Sequence, residues 1–181
     1  IERHTMWTSL PWRPDSSDTT LSPEGTHSAS IWNEGEVGIY RLADGAERRL
    51  FSKHGLALLT FGRSHQELFT SGEDGLVKRH WIEDDSSEPR TEIVARHGLH
   101  PPRDGEGNQN STVRALAYAP GPRRLASCGN DGRVQVWDLE QRRLLFETPD
   151  QGDRIRDVRF SRDGALVAAA IANGWARVWN A

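Results

Sequence analysis

The chain has 181 residues, a formal net charge of −3, a pI near 6.2, 35% hydrophobic residues and 27% charged ones. That balance lacks the basic stripe of a nucleic-acid binder, and no apolar run approaches the roughly 20 residues of a membrane span. Cys128 is the only cysteine, so no disulfide within the chain can form and a cytoplasmic, intracellular setting is expected.

In chain order, residues 1–20 are the least patterned. Residues 5–10 read as a short strand, and residues 11–18 as turn and loop. The chain begins Ile-Glu-Arg-His rather than with Met and shows no signal peptide, so it reads as a fragment or processed product. Alternating apolar runs then recur. Strands are expected at 48–51, 56–61, 67–71 and 76–82. Others follow at 92–95, 113–118, 123–128 and 133–139, and the last at 143–147, 155–160, 166–171 and 175–180. Residues 84–112 form the one long interruption, rich in Ser, Pro, Gly, His and charge, and read as a surface loop.

The most regular stretch is 125–139, LASCGNDGRVQVWDL. Asp131-Gly132 between two apolar runs predicts a tight β-hairpin with a primed turn, because Gly supplies positive φ at little cost. Val134 and Val136 should face one side and Arg133, Gln135 and Trp137 the other. The corner recurs at Glu34-Gly35, Asp74-Gly75 and Asn173-Gly174, giving spacings of 40, 57 and 42 residues. A ring follows each corner at an offset of six: Tyr40, His80, Trp137 and Trp179. A period near 40 with one hairpin and one ring per unit is the signature of β-propeller blades.

On these residues the chain resembles the WD-repeat (WD40) family. Trp137-Asp138 is the family's closing dipeptide, and Trp179-Asn180 is a near match. Ser22-Pro23-Glu24-Gly25 and Ser161-Arg162-Asp163-Gly164 resemble the family's Ser-Pro-Asp-Gly turn. The resemblance implies an all-β fold of four-stranded antiparallel blades, with repeats at about 1–42, 43–82, 83–139 and 140–181. It implies that the last blade lacks its outermost strand unless residues 5–10 or a missing segment supply it, and that the chain is part of a larger propeller.

The resemblance also implies a structural tetrad of His, Ser or Thr, turn Asp and Trp in each repeat. Its counterparts here are Ser30, Glu34 and Tyr40; His54, Thr70, Asp74 and His80; Ser127, Asp131 and Trp137; and Asn173 and Trp179. Gln109 and Gln151 fall at the expected His positions of the third and fourth repeats, so no repeat has a full set. Family binding surfaces map onto a rim formed by Glu73, Thr112, Asn130, Arg154 and Ala172.

Other chemistry is thin. His97-Gly98-Leu99-His100 is too poor in ligands for zinc. The run from Asp104 to Ala115 fails as a calcium loop at its sixth and twelfth positions. Asn110-Ser111-Thr112 is a sequon that matters only in a secreted protein. No phosphate loop or nucleophile elbow occurs. No catalytic residue, metal or cofactor is therefore expected. The leading expectation is a non-catalytic scaffold binding protein partners, or the rest of its own propeller, through its loop face. The alternative is a sensor propeller attached to an upstream effector domain of a larger signalling or defence NTPase, kinase or protease. A ubiquitin-ligase receptor is disfavoured by Glu140, where adaptor docking calls for Arg.

Overall fold

The structure is a computed structural model. It describes residues 18–32, 35–52, 54–55, 57–82, 89–98 and 111–181. Residues 5–10, Glu34, His100, the 104–110 stretch and Gln109 lie outside the described residues.

Among the described residues, fifteen strands form four antiparallel sheets. The first contains β1 (Asp18–Leu21), β2 (His27–Ile31), β3 (Glu36–Arg41) and β4 (Glu47–Phe51) in that order. The second contains β5 (Ala57–Phe61), β6 (Glu67–Gly72), β7 (Leu76–Trp81) and β8 (Arg90–Arg96). The third contains β9 (Val113–Ala119), β10 (Arg124–Gly129), β11 (Val134–Asp138) and β12 (Arg143–Glu147). The fourth has three strands: β13 (Ile155–Phe160), β14 (Leu166–Ile171) and β15 (Ala176–Asn180). Every strand expected from 48 onward is present within two residues of its expected ends. Each fourth strand begins the next sequence repeat, so sheet and repeat are offset by one strand.

The sheets stand side by side as blades, with successive inner strands adjacent: β1 to β5, β5 to β9, β9 to β13. Period-2 alternation builds this arrangement, because the middle strands of the second and third sheets bury both faces. In β10, Ala126 and Cys128 face the fourth blade, where they join Val134, Val136, Val158 and Val167 in one core. Leu125 faces the second blade and packs with Phe69, Val77 and Leu116. A third core, between the first two blades, holds Ile31, Val37, Leu59 and Phe61. Three thin layers thus replace one thick core, as expected for stacked repeats.

The corner glycines all have positive φ: +80° at Gly35, +73° at Gly75, +71° at Gly132 and +92° at Gly174. The turn differs from the two-residue primed form expected for Asp131-Gly132. The Gly132 amide donates to the Gly129 carbonyl at 3.2 Å, so Asn130 and Asp131 are the central residues and Gly132 follows them. Asp131 is not among the positive-φ residues, which a primed turn would require. Gly75 with Gly72, and Gly174 with Ile171, repeat the bond at 3.2 and 3.1 Å.

Candidate interaction face

Each described corner acid or amide braces its own turn. Asp74 Oδ1 accepts the Leu76 amide at 3.1 Å, Asp131 Oδ1 the Arg133 amide at 3.1 Å, and Asn173 Oδ1 the Trp175 amide at 3.3 Å. In two blades the acid also anchors a buried histidine. His54 Nδ1 lies 2.7 Å from Asp74 and Nε2 lies 3.0 Å from the Thr70 hydroxyl. In the third blade His97 Nδ1 lies 2.9 Å from Asp131 and Nε2 lies 2.8 Å from Ser127. A carboxylate only accepts, so Nδ1 carries the proton in both, and a neutral ring's Nε2 accepts from the hydroxyl.

His97 is therefore the third blade's tetrad histidine, a role that counting along the sequence assigned to Gln109. It is 4% exposed, not part of a solvated loop. A backbone bond fixes the equivalence: the His97 amide donates to Gly75 and the Gln151 amide to Gly132, at 2.8 and 2.9 Å. With Ser127, Asp131 and Trp137 present, the third repeat has the full set. Trp137 departs from it in one respect, donating through Nε1 to Gln135 at 3.3 Å.

The second blade extends its chain of bonds further, because His80 stands where Trp137 and Trp179 stand later. His80 Nε2 lies 2.8 Å from Thr70 and Nδ1 lies 2.9 Å from Thr91. Burial pushes the His80 imidazole down to about 4, with the nearby His54 and Lys78 charges adding to it. Burial also lowers His54, against the pull of Asp74. Asp131 is the reverse case: burial opposes its ionisation, but the His97 bond and the Arg133 and Gly98 amides outweigh it and lower its pKa.

The other two blades use different fillings. In the first, Ser30 pairs with Thr19 at 3.0 Å, and Trp32 and Tyr40 tilt together with centroids 6.1 Å apart. In the fourth, Gln151 accepts from Arg177, and Trp179 packs on the core shared with the third blade.

The trios Ser127, His97, Asp131 and Thr70, His54, Asp74 have the connectivity of a nucleophile, base and acid. Both hydroxyls are 0% exposed, sealed between blades where no substrate can reach them. Their chemistry is to satisfy buried polar groups between strands. Among the described residues, no group of three or more His, Cys, Asp or Glu is placed to hold a metal ion. No described helix is long and apolar enough to cross a membrane.

The five rim residues lie where inner strands begin and corners turn. The Asn130 amide donates to the Thr112 carbonyl and the Ala172 amide to the Arg154 carbonyl, each at 2.9 Å. Ser111 Oγ donates to the Glu73 carbonyl at 3.0 Å. Glu73 and Arg154 are exposed, and Thr112 and Ala172 half-buried. Asn130 is 4% exposed, and its Oδ1 accepts from Arg114 Nε at 2.8 Å, so it braces Arg114 beneath the surface. Arg114 is itself exposed and was not singled out in the sequence, where an arginine opening a strand carries no special signal.

Blades of this kind, joined through inner strands and pinned at acid–glycine corners, define a β-propeller type of protein. The sequence profile described as "WD domain, G-beta repeat" matches residues 102–138 and 142–180. Both stretches match the WD40-repeat profile, and the chain is similar to WD40-repeat proteins. It is 26% identical over 164 residues to "Target of rapamycin complex subunit wat1" of Schizosaccharomyces pombe, covering 88% of this chain and 47% of that one. It is 39% identical over 74 residues to "Ribosome biogenesis protein WDR12 homolog" of Chlamydomonas reinhardtii, covering 39% and 15%. It is 26% identical over 133 residues to "Chromatin assembly factor 1 subunit FAS2 homolog" of Oryza sativa subsp. japonica, covering 68% and 24%. The chain thus spans less than half the length of each of these relatives. Among solved structures, the computationally designed Ika4 protein shares the fold with a TM-score of 0.72 and 18% identity, over 98% of this chain and 99% of that one.

Proposed function

We propose that this chain is a non-catalytic scaffold that binds protein partners through its corner rim, inside the cell. The observation that carries the reading is the rim's construction. Successive corners are held by the same backbone bonds, Thr112 to Asn130 and Arg154 to Ala172, while the side chains they display differ. Such a frame lets contacts vary without disturbing the ladder beneath. The relatives named for protein complexes support it, as does an acidic net charge of −3 that suits protein rather than nucleic-acid partners. Glu73, Arg114 and Arg154 are the exposed charged contacts, with Thr112 and Ala172 between them. Asn130 acts through Arg114.

The test is affinity capture from the source cells with wild-type protein and with the Arg114→Ala/Arg154→Ala double variant, read by quantitative mass spectrometry. Partners specific to the wild type, lost from a variant with an unchanged melting temperature, support the rim. Identical captures would place binding elsewhere.

A further inference from the structure

Two exposed arginines occupy the same place on neighbouring inner strands, β9 and β13. The backbone bonds of the corner frame fix the equivalence. Arg114 lies two residues past the carbonyl of Thr112, which accepts the Asn130 amide, and Arg156 two residues past that of Arg154, which accepts the Ala172 amide. The junction beneath them is packed shut. Cys128 Sγ donates to the Ile155 carbonyl at 3.8 Å, and Val134, Val136, Val158 and Val167 fill one core. The two arginines therefore stem from one level of a rigid seam between the third and fourth blades.

Arg114 is held in place as well as exposed. Its Nε donates to Oδ1 of Asn130 at 2.8 Å, and Asn130 is 4% exposed. That bond fixes the plane of the guanidinium and uses one of its five N–H groups. The two terminal Nη groups, the fork that matches carboxylate and phosphate oxygens, stay available. Among the described residues, Arg156 makes no side-chain bond.

The neighbouring acids are engaged elsewhere. Asp153 accepts the Arg154 amide at 2.7 Å. Asp157 accepts the Val158 amide at 2.9 Å and Arg159 Nε at 3.1 Å. Asp131 is tied to His97 at 2.9 Å, and Glu73 lies against Gly55 on the second blade. Two cations without a counter-charge thus stand together on a chain whose net charge is −3.

We propose that Arg114 and Arg156 form a two-pronged anion site that takes an extended acidic tail of a protein partner. This pair deepens the rim reading, on which it rests, by naming the chemistry selected there. Sheets packed face to face stand about 10 Å apart, and an extended chain covers that distance in about three residues. The tail therefore carries two anionic groups about three residues apart, carboxylates or phosphorylated side chains, each paired with one guanidinium.

The test is fluorescence anisotropy of fluorescein-labelled peptides titrated with the full chain at low salt. The probes are Gly-Glu-Ala-Ala-Glu-Gly, the same peptide with phosphoserine in place of both Glu residues, and a control with Lys in their place. Saturable binding of at least one anionic peptide is expected, weakening with added salt and absent for the Lys control. The tighter of the two anionic peptides identifies the class of anion. Arg114→Gln and Arg156→Gln should each weaken binding about tenfold with an unchanged melting temperature, the worth of one charge-assisted bond. Arg162→Gln removes the same charge from an exposed turn at the far end of β13 and should leave binding as it is. No saturable binding of either anionic peptide, equal binding of the Lys control, or equal weakening by all three substitutions would each overturn the anion site. If Arg114→Ala/Arg154→Ala still loses captured partners after such a result, the rim stands as a binding face of other chemistry. If capture is retained, the rim falls with it.

Discussion

His54 and His80 share one hydroxyl: their Nε2 atoms lie 3.0 and 2.8 Å from Oγ1 of Thr70. One hydroxyl has one proton, so one ring accepts from Thr70 and the other donates to it. With His54 protonated at Nδ1 toward Asp74, the consistent assignment has Thr70 donating to His54 and His80 donating to Thr70. Thr91 then donates to His80, and every link is satisfied with both rings neutral.

That arrangement sets an acid limit on stability. The His80 pKa is about 4 when folded against 6.5 unperturbed. Between those values the unfolded chain binds more protons, so stability falls as pH drops through this window and is retained in full above it. The shift corresponds to about 3 kcal/mol, and His54 moves in the same direction. Urea midpoints measured from neutral pH down to about pH 4 should fall steadily, and His80→Gln should flatten the slope. Asp131 adds a separate loss only when pH falls below the ordinary carboxylate range, because its folded pKa is lowered.

Removing His97 takes one buried bond from Ser127 and one from Asp131, which keeps the Arg133 and Gly98 amides. His97→Ala should cost about 3 kcal/mol in urea unfolding, the range for an orphaned buried charge or hydrogen-bond partner. Arg154→Ala, at an exposed rim position, should stay within about 0.5 kcal/mol of wild type in the same assay.

Two turn glycines separate conformational strain from steric conflict. An added Cβ at Gly25, φ +67°, meets nothing within 4 Å. At Gly75, φ +73°, it would stand 2.8 Å from Ser111 Cβ and 2.9 Å from the His97 carbonyl. Gly25→Ala should cost about 1 kcal/mol, the left-handed penalty alone. Gly75→Ala should cost clearly more and lower the thermal midpoint further.

Cys128 is 0% exposed, and burial pushes its thiol pKa up. A thiol held neutral and enclosed does not react. Ellman's reagent should label native protein only at the rate of unfolding, and stoichiometrically in denaturant.

Turn chemistry and alternation are local, which is why the strands from 48 onward could be read from sequence almost to the residue. The exact turn at Asp131-Gly132 could not. The dipeptide demands only that Gly take positive φ, and both a primed turn and a turn followed by a left-handed Gly meet that demand. His97 was missed for a different reason. His54 precedes its acid by 20 residues but His97 precedes Asp131 by 34, because the insertion follows the histidine. The usable cue was position after a strand: His97 directly follows β8, as Gln151 closely follows β12. The buried pairing of Arg79 with Glu67 gave no cue, since both residues read as ordinary charges on strands.

Gly98 and Ser111 touch: a Cβ added to Gly98 would lie 2.7 Å from Ser111 Cα. The chain therefore leaves the frame and rejoins it at one point, and β8 and β9 keep their places regardless of what is strung between. The described chain stops at Gly98 and resumes beside it at Ser111, so each doubling of the length strung between them adds only about 0.6 kcal/mol. Insertions between Gly98 and Ser111 should therefore leave β8 and β9 in register.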